Sequence, residues 1–250
     1  SVFFFFFLEE KLSKHHPELD LVMTPTGKLV AMAHSNNCSS NLDKWVNLFK
    51  EAVESLGFEV EMDTLYETLF NKALEGDKDC GGLLSYGYLS GEHITGFEEG
   101  RPLFTMESDN NFNLANFMRV NLQSALGAMK IGMDILLKEE NVKVDKMLGH
   151  GGLFKTEGVA QKFMAAAVDA PVSVMETAGE GGAWGIALLA SYHLNKDGES
   201  LEEFLNENIF TDQKEKIVEP DPADVEGFEE FMQRYKNGLA VERAAVENLE

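Results

Sequence analysis

The sequence has little positive charge, few cysteines, few prolines and no long hydrophobic run. Lys and Arg number 21 against 43 Asp and Glu, which gives a formal net charge of −22. A surface this acidic repels phosphate backbones and anionic lipids, so the composition argues against binding of nucleic acid and against docking on membranes. It still allows a local pocket for one phosphorylated ligand.

The two cysteines, Cys38 and Cys80, stand in unrelated contexts. This excludes a disulfide framework and a cysteine metal site, and it favours a reducing cytoplasm. No stretch reaches the ~18 apolar residues that a spanning helix needs. The apolar start, residues 2–8, has no basic residue before it and is followed by Glu9 and Glu10, so it is not a signal peptide.

The chain has 250 residues, 44% of them hydrophobic, which is enough for one large domain with a sizeable core. Three strands are predicted first. The five phenylalanines Phe3 to Phe7 form a run too continuous for a strand with one wet face, so we expect a buried strand. Residues 19–24 and 28–34 flank a Pro-Thr-Gly turn and predict a hairpin. Apolar residues at helical spacing then predict helices at 42–56, 63–74 and 113–138.

The segment 144–194 alternates between apolar runs and glycine-rich turns. It predicts strands at 144–148 and 171–175 and helices at 158–170 and 183–194, which is typical of an α/β sheet with helices on its faces. The last fifty residues, 201–250, hold 14 acidic and 5 basic side chains and predict an acidic helical extension with a solvated face. Within them, Asp221-Pro222 is a typical helix start.

The loop Gly149-His150-Gly151-Gly152 is the strongest candidate for a site. It follows a predicted strand and leads toward a helix, and a backbone without Cβ atoms can approach a flat or charged ligand closely. The loop is neither a Walker A motif nor the dinucleotide fingerprint of spaced glycines. A second glycine-rich loop, 176–182, also precedes a helix, and packing of that helix is favoured slightly over binding as the reason for its small residues.

Other side chains offer weaker signals for chemistry. The six histidines are scattered without the spacing of metal ligands. His150 beside the glycine loop could contact a ligand, but a structural role is favoured. No nucleophile elbow occurs, and neither cysteine has a convincing base.

Several motifs together resemble the FGGY carbohydrate kinases. The residues Gly151-Gly152-Leu153-Phe154-Lys155-Thr156, then Gln161, then 167–172 resemble the adenosine-binding stretch of that family. Residues 178–190 resemble its small-residue helix. Leu89-Ser90-Gly91-Glu92 resembles the Leu-Ser-Gly-Glu of its xylulokinase-like members, although His93-Ile94-Thr95 stands where Arg-Thr-Pro usually follows.

The resemblance implies a C-terminal kinase domain over 1–250 with the ribonuclease-H-like, actin-like ATPase fold, a mixed β-sheet with helices on both faces. It implies ATP as the phosphoryl donor and Mg²⁺ as its metal. The family's second phosphate-binding turn, Gly-Thr-Ser, is represented only by Ser1, so we expect that the chain is cut from something longer. The implied nucleotide-binding residues are Ser1, Gly151, Gly152, Leu153, Phe154 and Lys155.

In such kinases the sugar and the catalytic Asp belong mainly to an N-terminal domain, which this chain does not contain. No catalytic residue is therefore predicted here, and the chain alone is expected to be inactive. The implied substrate is a five-carbon ketose, xylulose or ribulose, in the cytoplasm, with a homodimer as a candidate assembly. Two alternatives stay open: a non-catalytic actin-like module that binds a nucleotide or a partner, and a dinucleotide-dependent enzyme, which the missing fingerprint disfavours.

Overall fold

A computed structural model describes residues 2–175, 181–211 and 215–249 and shows a mixed α/β domain. The strands are β1 Val2–Phe7, β2 Leu19–Met23, β3 Leu29–Ser35, β4 Leu83–Tyr86, β5 Leu103–Met106, β6 Met147–Gly149, β7 Val172–Met175 and β8 Glu215–Val218. The helices are α1 Ser40–Ser55, α2 Met62–Ala73, α3 Leu114–Asp134, α4 Val159–Val168, α5 Gly181–Asn195, α6 Leu201–Asn208 and α7 Pro222–Asn248. The described strands form three small sheets, ordered β1-β3-β2, β4-β5 and β6-β7-β8.

The first sheet is antiparallel and confirms the predicted hairpin of β2 and β3. Strand β1 pairs with β3 and forms one edge. The prediction that the phenylalanine strand is buried on both faces is wrong. Phe4 and Phe6 point into the core, whereas Phe3, Phe5 and Phe7 are 48%, 54% and 70% exposed. Side chains of a strand alternate between its faces, and an edge strand of phenylalanines therefore shows every second ring to solvent unless another element covers it.

The long helix α3 is the centre of the domain. Asn113 caps its start by accepting a hydrogen bond from the Asn116 amide, as the capping preference of Asn favours. Almost every residue of α3 is buried, so the predicted single apolar stripe underestimates how much of the helix is enclosed. Gly127 admits the ring of Tyr235, and Gly132 admits the side chain of Ala33. Both glycines therefore allow α3 to pack closely against its neighbours. A π-helical turn, Ile135–Glu139, ends the element.

The predicted order of strand, glycine turn, helix, strand and helix within residues 144–194 is confirmed. Most of the second predicted loop, residues 176–180, lies outside the described residues. Strand β6 runs parallel to β7, as a connection through helix α4 requires, and β8 adds an antiparallel edge that the sequence analysis did not predict. Helix α4 packs on β7 and also against α3 and α7. Strand β6 is only partly enclosed, since Leu148 is 47% exposed.

The acidic C-terminal segment ends in α7, which begins at the predicted cap. The Asp221 side chain accepts hydrogen bonds from the amides of Ala223 and Asp224. The helix packs along α3, α4 and β4, and three of its six acidic residues, Glu226, Glu230 and Glu247, are exposed. The side chains of α7 that are fully enclosed are Phe228, Phe231, Met232, Tyr235 and Glu242. Within the described ranges, no helix combines the length and apolar character needed to cross a membrane.

Candidate functional site

The glycine turn lies between β6 and α4, at the carboxyl end of β6. Gly151 has φ +101°, a backbone conformation that favours glycine. A Cβ atom on Gly151 or on Gly152 would meet nothing within 4 Å. The outer side of this turn is therefore open, and a ligand could lie directly against the backbone.

The residues after the turn divide into an inner and an outer set. Gly152–Lys155 forms one turn of 3-10 helix, closed by a hydrogen bond from the Phe154 amide to the Gly151 carbonyl (3.1 Å). Leu153 and Phe154 are partly buried and pack against the core, where the Phe154 ring lies over Gly149. Lys155 is exposed and makes no ion pair with any described residue. Leu153 and Phe154 therefore anchor the turn to the core, and Gly152 and Lys155 face solvent.

Gln161 ties the helix behind the turn to the sheet. It is almost completely buried, and its Nε2 donates to the carbonyl of Val172 in β7 (3.1 Å) and of Lys216 in β8 (2.8 Å). One side chain thus joins α4 to two strands. The position of the glycine turn relative to β7 is set by this link and by the β6–β7 pairing.

The segment around the turn lacks the negative charge of the whole chain. Residues 145–169 hold three lysines and three acidic residues, so the segment is neutral in a chain of net charge −22. Glu157 is paired with Lys216 of β8 (2.8 Å), while Lys155 and Lys162 are exposed and have no carboxylate within ion-pair distance among the described residues. This part of the surface can therefore receive an anion that the rest of the protein would repel.

The structure brings five of the six predicted nucleotide residues into a single turn. Gly151, Gly152 and Lys155 form its open side, and Leu153 and Phe154 support it from the core side. Ser1 lies outside the described residues. So does most of the second glycine-rich loop, 176–180. Lys216, whose side chain pairs with Glu157 after this turn, was not predicted, because it comes from β8, far along the chain, and carries no motif.

Other reactive side chains lie elsewhere and are used structurally. Burial raises the pKa of Cys38 to about 11 and raises that of Cys80 as well, so neither thiol is ionised at neutral pH. His16 is buried against Glu140. No group of three or more metal-binding side chains occurs within residues 2–175, 181–211 and 215–249.

Comparison with known protein families identifies the family of this chain. The model of the FGGY family of carbohydrate kinases, C-terminal domain, matches residues 1–194. The chain belongs to this family. The match includes the glycine turn, α4 and α5. Elements α6, β8 and α7 lie beyond it. A comparison with proteins of curated function finds no match.

Solved structures of carbohydrate kinases share the fold. Xylulose kinase from Rhodospirillum rubrum is 18% identical, with 92% of this chain and 43% of that chain covered and a TM-score of 0.65. Gluconate kinase from Lactobacillus acidophilus is 16% identical, with coverage of 90% and 42% and a TM-score of 0.67. Plasmodium falciparum glycerol kinase with ADP is 14% identical, with coverage of 96% and 45% and a TM-score of 0.66.

Two conclusions follow from these matches. The predicted fold class, a ribonuclease-H-like, actin-like ATPase domain, is confirmed. Its strands are divided among three small sheets rather than joined in one in the described residues. The chain spans less than half the length of each of these kinases.

Proposed function

We propose that this chain is the nucleotide-binding half of an ATP-dependent carbohydrate kinase, and that the turn at Gly151 and Gly152 receives the nucleotide. The observation that carries the proposal is the open backbone at these two glycines. A Cβ atom at either position would meet no protein atom within 4 Å, although Gly149 just before them is tightly covered. Open glycine backbone beside an unpaired lysine suits a ligand that is flat at one end and anionic at the other.

Each predicted nucleotide residue has a distinct part in this proposal. Gly151 and Gly152 allow close approach of the ligand to the backbone. Leu153 and Phe154 hold the turn from the core side. Lys155 offers a charge to a phosphate. Ser1, as the remnant of a second phosphate-binding turn, stays a prediction.

The reaction that fits the family is transfer of the γ-phosphoryl group of ATP to a sugar hydroxyl. A new P–O bond to the sugar oxygen forms as the bond to the β-phosphate oxygen breaks, and the hydroxyl proton passes to a general base. The residues of this chain bind and orient the nucleotide. The base and most of the sugar site would come from a part equivalent to the remainder of the longer kinases. The proposed setting is the cytoplasm, with no nucleic-acid or membrane partner, and with a homodimer as a candidate assembly.

Mg²⁺ fits this chain as a companion of the nucleotide rather than as a resident ion. In phosphoryl transfer, Mg²⁺ neutralises charge on the phosphate oxygens. It is usually held by phosphates, waters and one or two carboxylates, not by a dedicated protein cage.

A five-carbon ketose, xylulose or ribulose, is the proposed substrate. The support is the xylulokinase-like sequence Leu89-Ser90-Gly91-Glu92, whose Glu92 is fully buried. Its carboxylate accepts hydrogen bonds from the Ser35 hydroxyl (2.9 Å) and from the amides of Asn36 and Asn37 (3.0 and 3.1 Å). Glu92 thus holds the end of β3 to this motif and acts as structural support for it.

The binding proposal is tested with Gly152→Asp. The carboxylate would enter open space without a clash in the protein, so the free protein should keep its stability. It would repel phosphate, and we expect the affinity for ADP in a calorimetric titration to fall by about tenfold or more, equivalent to about 1.4 kcal/mol. Gln233→Asp adds the same charge at an exposed position of α7 and should leave ADP affinity unchanged. Unaltered binding by Gly152→Asp would remove the turn from the site.

The kinase proposal is tested by ADP formation with Mg-ATP and a panel of ketopentoses. We expect no turnover by this chain alone, and turnover when the remainder of a full-length kinase of this family is supplied. Robust turnover by this chain alone would contradict the division of roles. ADP binding without turnover even in the presence of the remaining part would favour the alternative, a non-catalytic actin-like module.

A further inference from the structure

Among the described residues, the buried carboxyl group of Glu242 in α7 has no positively charged partner. Its side chain is fully enclosed near the end of the helix. Its Oε1 accepts a hydrogen bond from the Arg101 amide (2.7 Å), whereas its Oε2 has no hydrogen-bond partner in the described part of the chain. A buried carboxylate with a single neutral donor is costly to keep ionised.

The arginine side chains closest in sequence to this contact are used elsewhere. The Nε of Arg101 donates to the carbonyl of Leu249 (2.7 Å), and both of its Nη atoms bond the Glu99 carboxylate (3.2 Å each). Arg243, the next residue of α7, lies over the ring of Phe97, 4.5 Å from its centroid. Neither guanidinium group therefore forms an ion pair with the buried carboxyl group.

The tyrosines packed in the same region do not supply a donor either. Tyr86 donates its hydroxyl hydrogen to the carbonyl of Tyr235, and the hydroxyls of Tyr88 and Tyr235 bond each other (2.9 Å). Burial raises the pKa of Tyr86 and of Tyr88, and the negative charge of Glu242 adds to both rises. Glu92, which also raises the pKa of Tyr88, brings further negative charge to this region. The surroundings therefore favour a neutral carboxyl group.

The amide that binds this carboxyl group belongs to a short strap, residues 98–102, which lies on the backbone of residues 89–92. A Cβ atom on Gly100 would collide with the carbonyl oxygens of Tyr88 and Ser90, so the strap fits against this backbone without free space. On its other side, the strap is held to α7 by the hydrogen bond to the buried carboxyl group. Loss of that bond would loosen the strap from α7.

Burial sets the direction in which pH acts on this junction. It raises the pKa of the Glu242 carboxyl above the ordinary 4.5, and the amide and the charge of Arg101 offset only part of that rise. Opening of the junction would expose the carboxyl group to water and let it ionise at its ordinary pKa. Opening therefore becomes easier as the pH rises above 4.5, until the pH passes the raised pKa of the closed form.

We propose that Glu242 is a proton-dependent latch, which holds the strap between α7 and residues 89–92 while its carboxyl group carries a proton and loosens the strap when that group is ionised. The proton resides on Oε2, and Oε1 remains the acceptor for the Arg101 amide. The inference does not depend on the proposed kinase activity, because it follows from the enclosure and hydrogen bonding of one side chain.

The test compares amide hydrogen exchange of the wild type and of Glu242→Gln at pH 8 and at lower pH. Glutamine keeps the shape and an acceptor oxygen but cannot ionise. At pH 8 we expect the strap and the last turn of α7 to be protected severalfold less in the wild type than in the variant, and the difference should narrow toward pH 5. Glu98→Gln, at an exposed glutamate of the strap, is the matched control and should behave as the wild type does.

Carbon-13 NMR titration of the Glu242 carboxyl group in the wild type tests the latch without a substitution. A midpoint above 4.5 is expected, and a midpoint at or below that value would overturn the proposal. Equal protection of the strap in the wild type and in Glu242→Gln at pH 8 would overturn it as well. So would a difference that extends evenly to strands β1 to β3, since it would then reflect the stability of the whole domain.

Discussion

The ring of Phe154 lies across Gly149, where β6 ends and the glycine turn begins. A Cβ atom at Gly149 would come within 2.5 Å of this ring, and a contact that short cannot exist without movement. The glycine therefore allows the ring to seal the inner side of the turn. The outer side, at Gly151 and Gly152, stays open. Closed packing on one side and open backbone on the other is the basis of the proposed site.

Gly149→Ala should destabilise the domain by about 1–3 kcal/mol, the usual cost of overpacking a filled position. Displacement of Phe154 should also weaken ADP binding. Urea denaturation measures the stability, and calorimetry measures the binding. Gly152→Ala is the matched control. Its methyl group would enter open space, and the backbone of Gly152 is not in the left-handed conformation that favours glycine. The free energy of unfolding of this variant should therefore stay within about 0.5 kcal/mol of the wild type. Equal stability of the two variants would contradict the packing described.

The α/β character of residues 144–194 could be predicted because strand, glycine turn and helix repeat there with clear boundaries. The two faces of β1 could not, because phenylalanine occupies both and no polar residue marks the exposed side. The apolar stripe of α7 was visible in the sequence. Its packing partners were not, since a periodic pattern shows that a face is apolar but not what covers it.

The candidate site could also be predicted only in part from the sequence. The glycine turn could be identified because its residues are consecutive. The link from Gln161 to Lys216 could not, since it joins residues 55 positions apart through a backbone carbonyl that any residue provides. Strand β8 was missed for a related reason: its four residues, Glu-Lys-Ile-Val, are short and half charged and form a strand only because β7 offers an edge.

Gln161→Met should destabilise the domain, because it keeps the size of the side chain but leaves the carbonyls of Val172 and Lys216 without their donor. The expected loss is about 1–3 kcal/mol in the free energy of unfolding, measured by urea denaturation. Gln233→Met changes an exposed glutamine of α7 in the same way and should alter stability by less than about 0.5 kcal/mol. A loss no larger than that of the control would show that the link carries no stability.

A buried lysine connects α3 to α7. Lys130 is 3% exposed and pairs with Asp134 of its own helix and with Glu229 of α7, at 2.8 Å from the latter. Lys130→Met would leave the nearly buried Asp134 and the partly exposed Glu229 with only their more exposed lysine partners, so we expect a loss of about 1.5–3 kcal/mol in thermal or urea denaturation.

Lys138 gives the matched comparison for this network. The Lys138 ammonium also pairs with the carboxylates of Asp134 and Glu229, at 3.1 and 3.0 Å, but its side chain is 54% exposed. Solvent screens its charge, and Lys138→Met should cost at most about 1 kcal/mol. Similar losses for the two variants would show that burial of Lys130 does not strengthen its pairing.

Glu140 links the stability of the fold to pH. Hydrogen bonds from the Ser13 amide, from the His16 ring and from the Ser13 hydroxyl hold its pKa at about 2, below the ordinary 4.5. Because the folded pKa lies below the unfolded one, the ionised carboxylate stabilises the fold above pH 4.5. That contribution is lost as the pH falls from 4.5 through about 2.

Glu140→Gln should therefore be less stable than the wild type at neutral pH, and the difference should shrink as the pH falls below 4.5. Urea denaturation at a series of pH values measures it. Glu51→Gln alters an exposed glutamate of α1 that has no partner among the described residues, so its difference from the wild type should be small throughout. The opposite outcome would be a difference in free energy of unfolding that stays constant between pH 7 and pH 3. The loss in Glu140→Gln would then come from the shape of the side chain and not from its charge. In that case the ionised carboxylate would not be what holds the loop before β2 to the end of the π-helical turn.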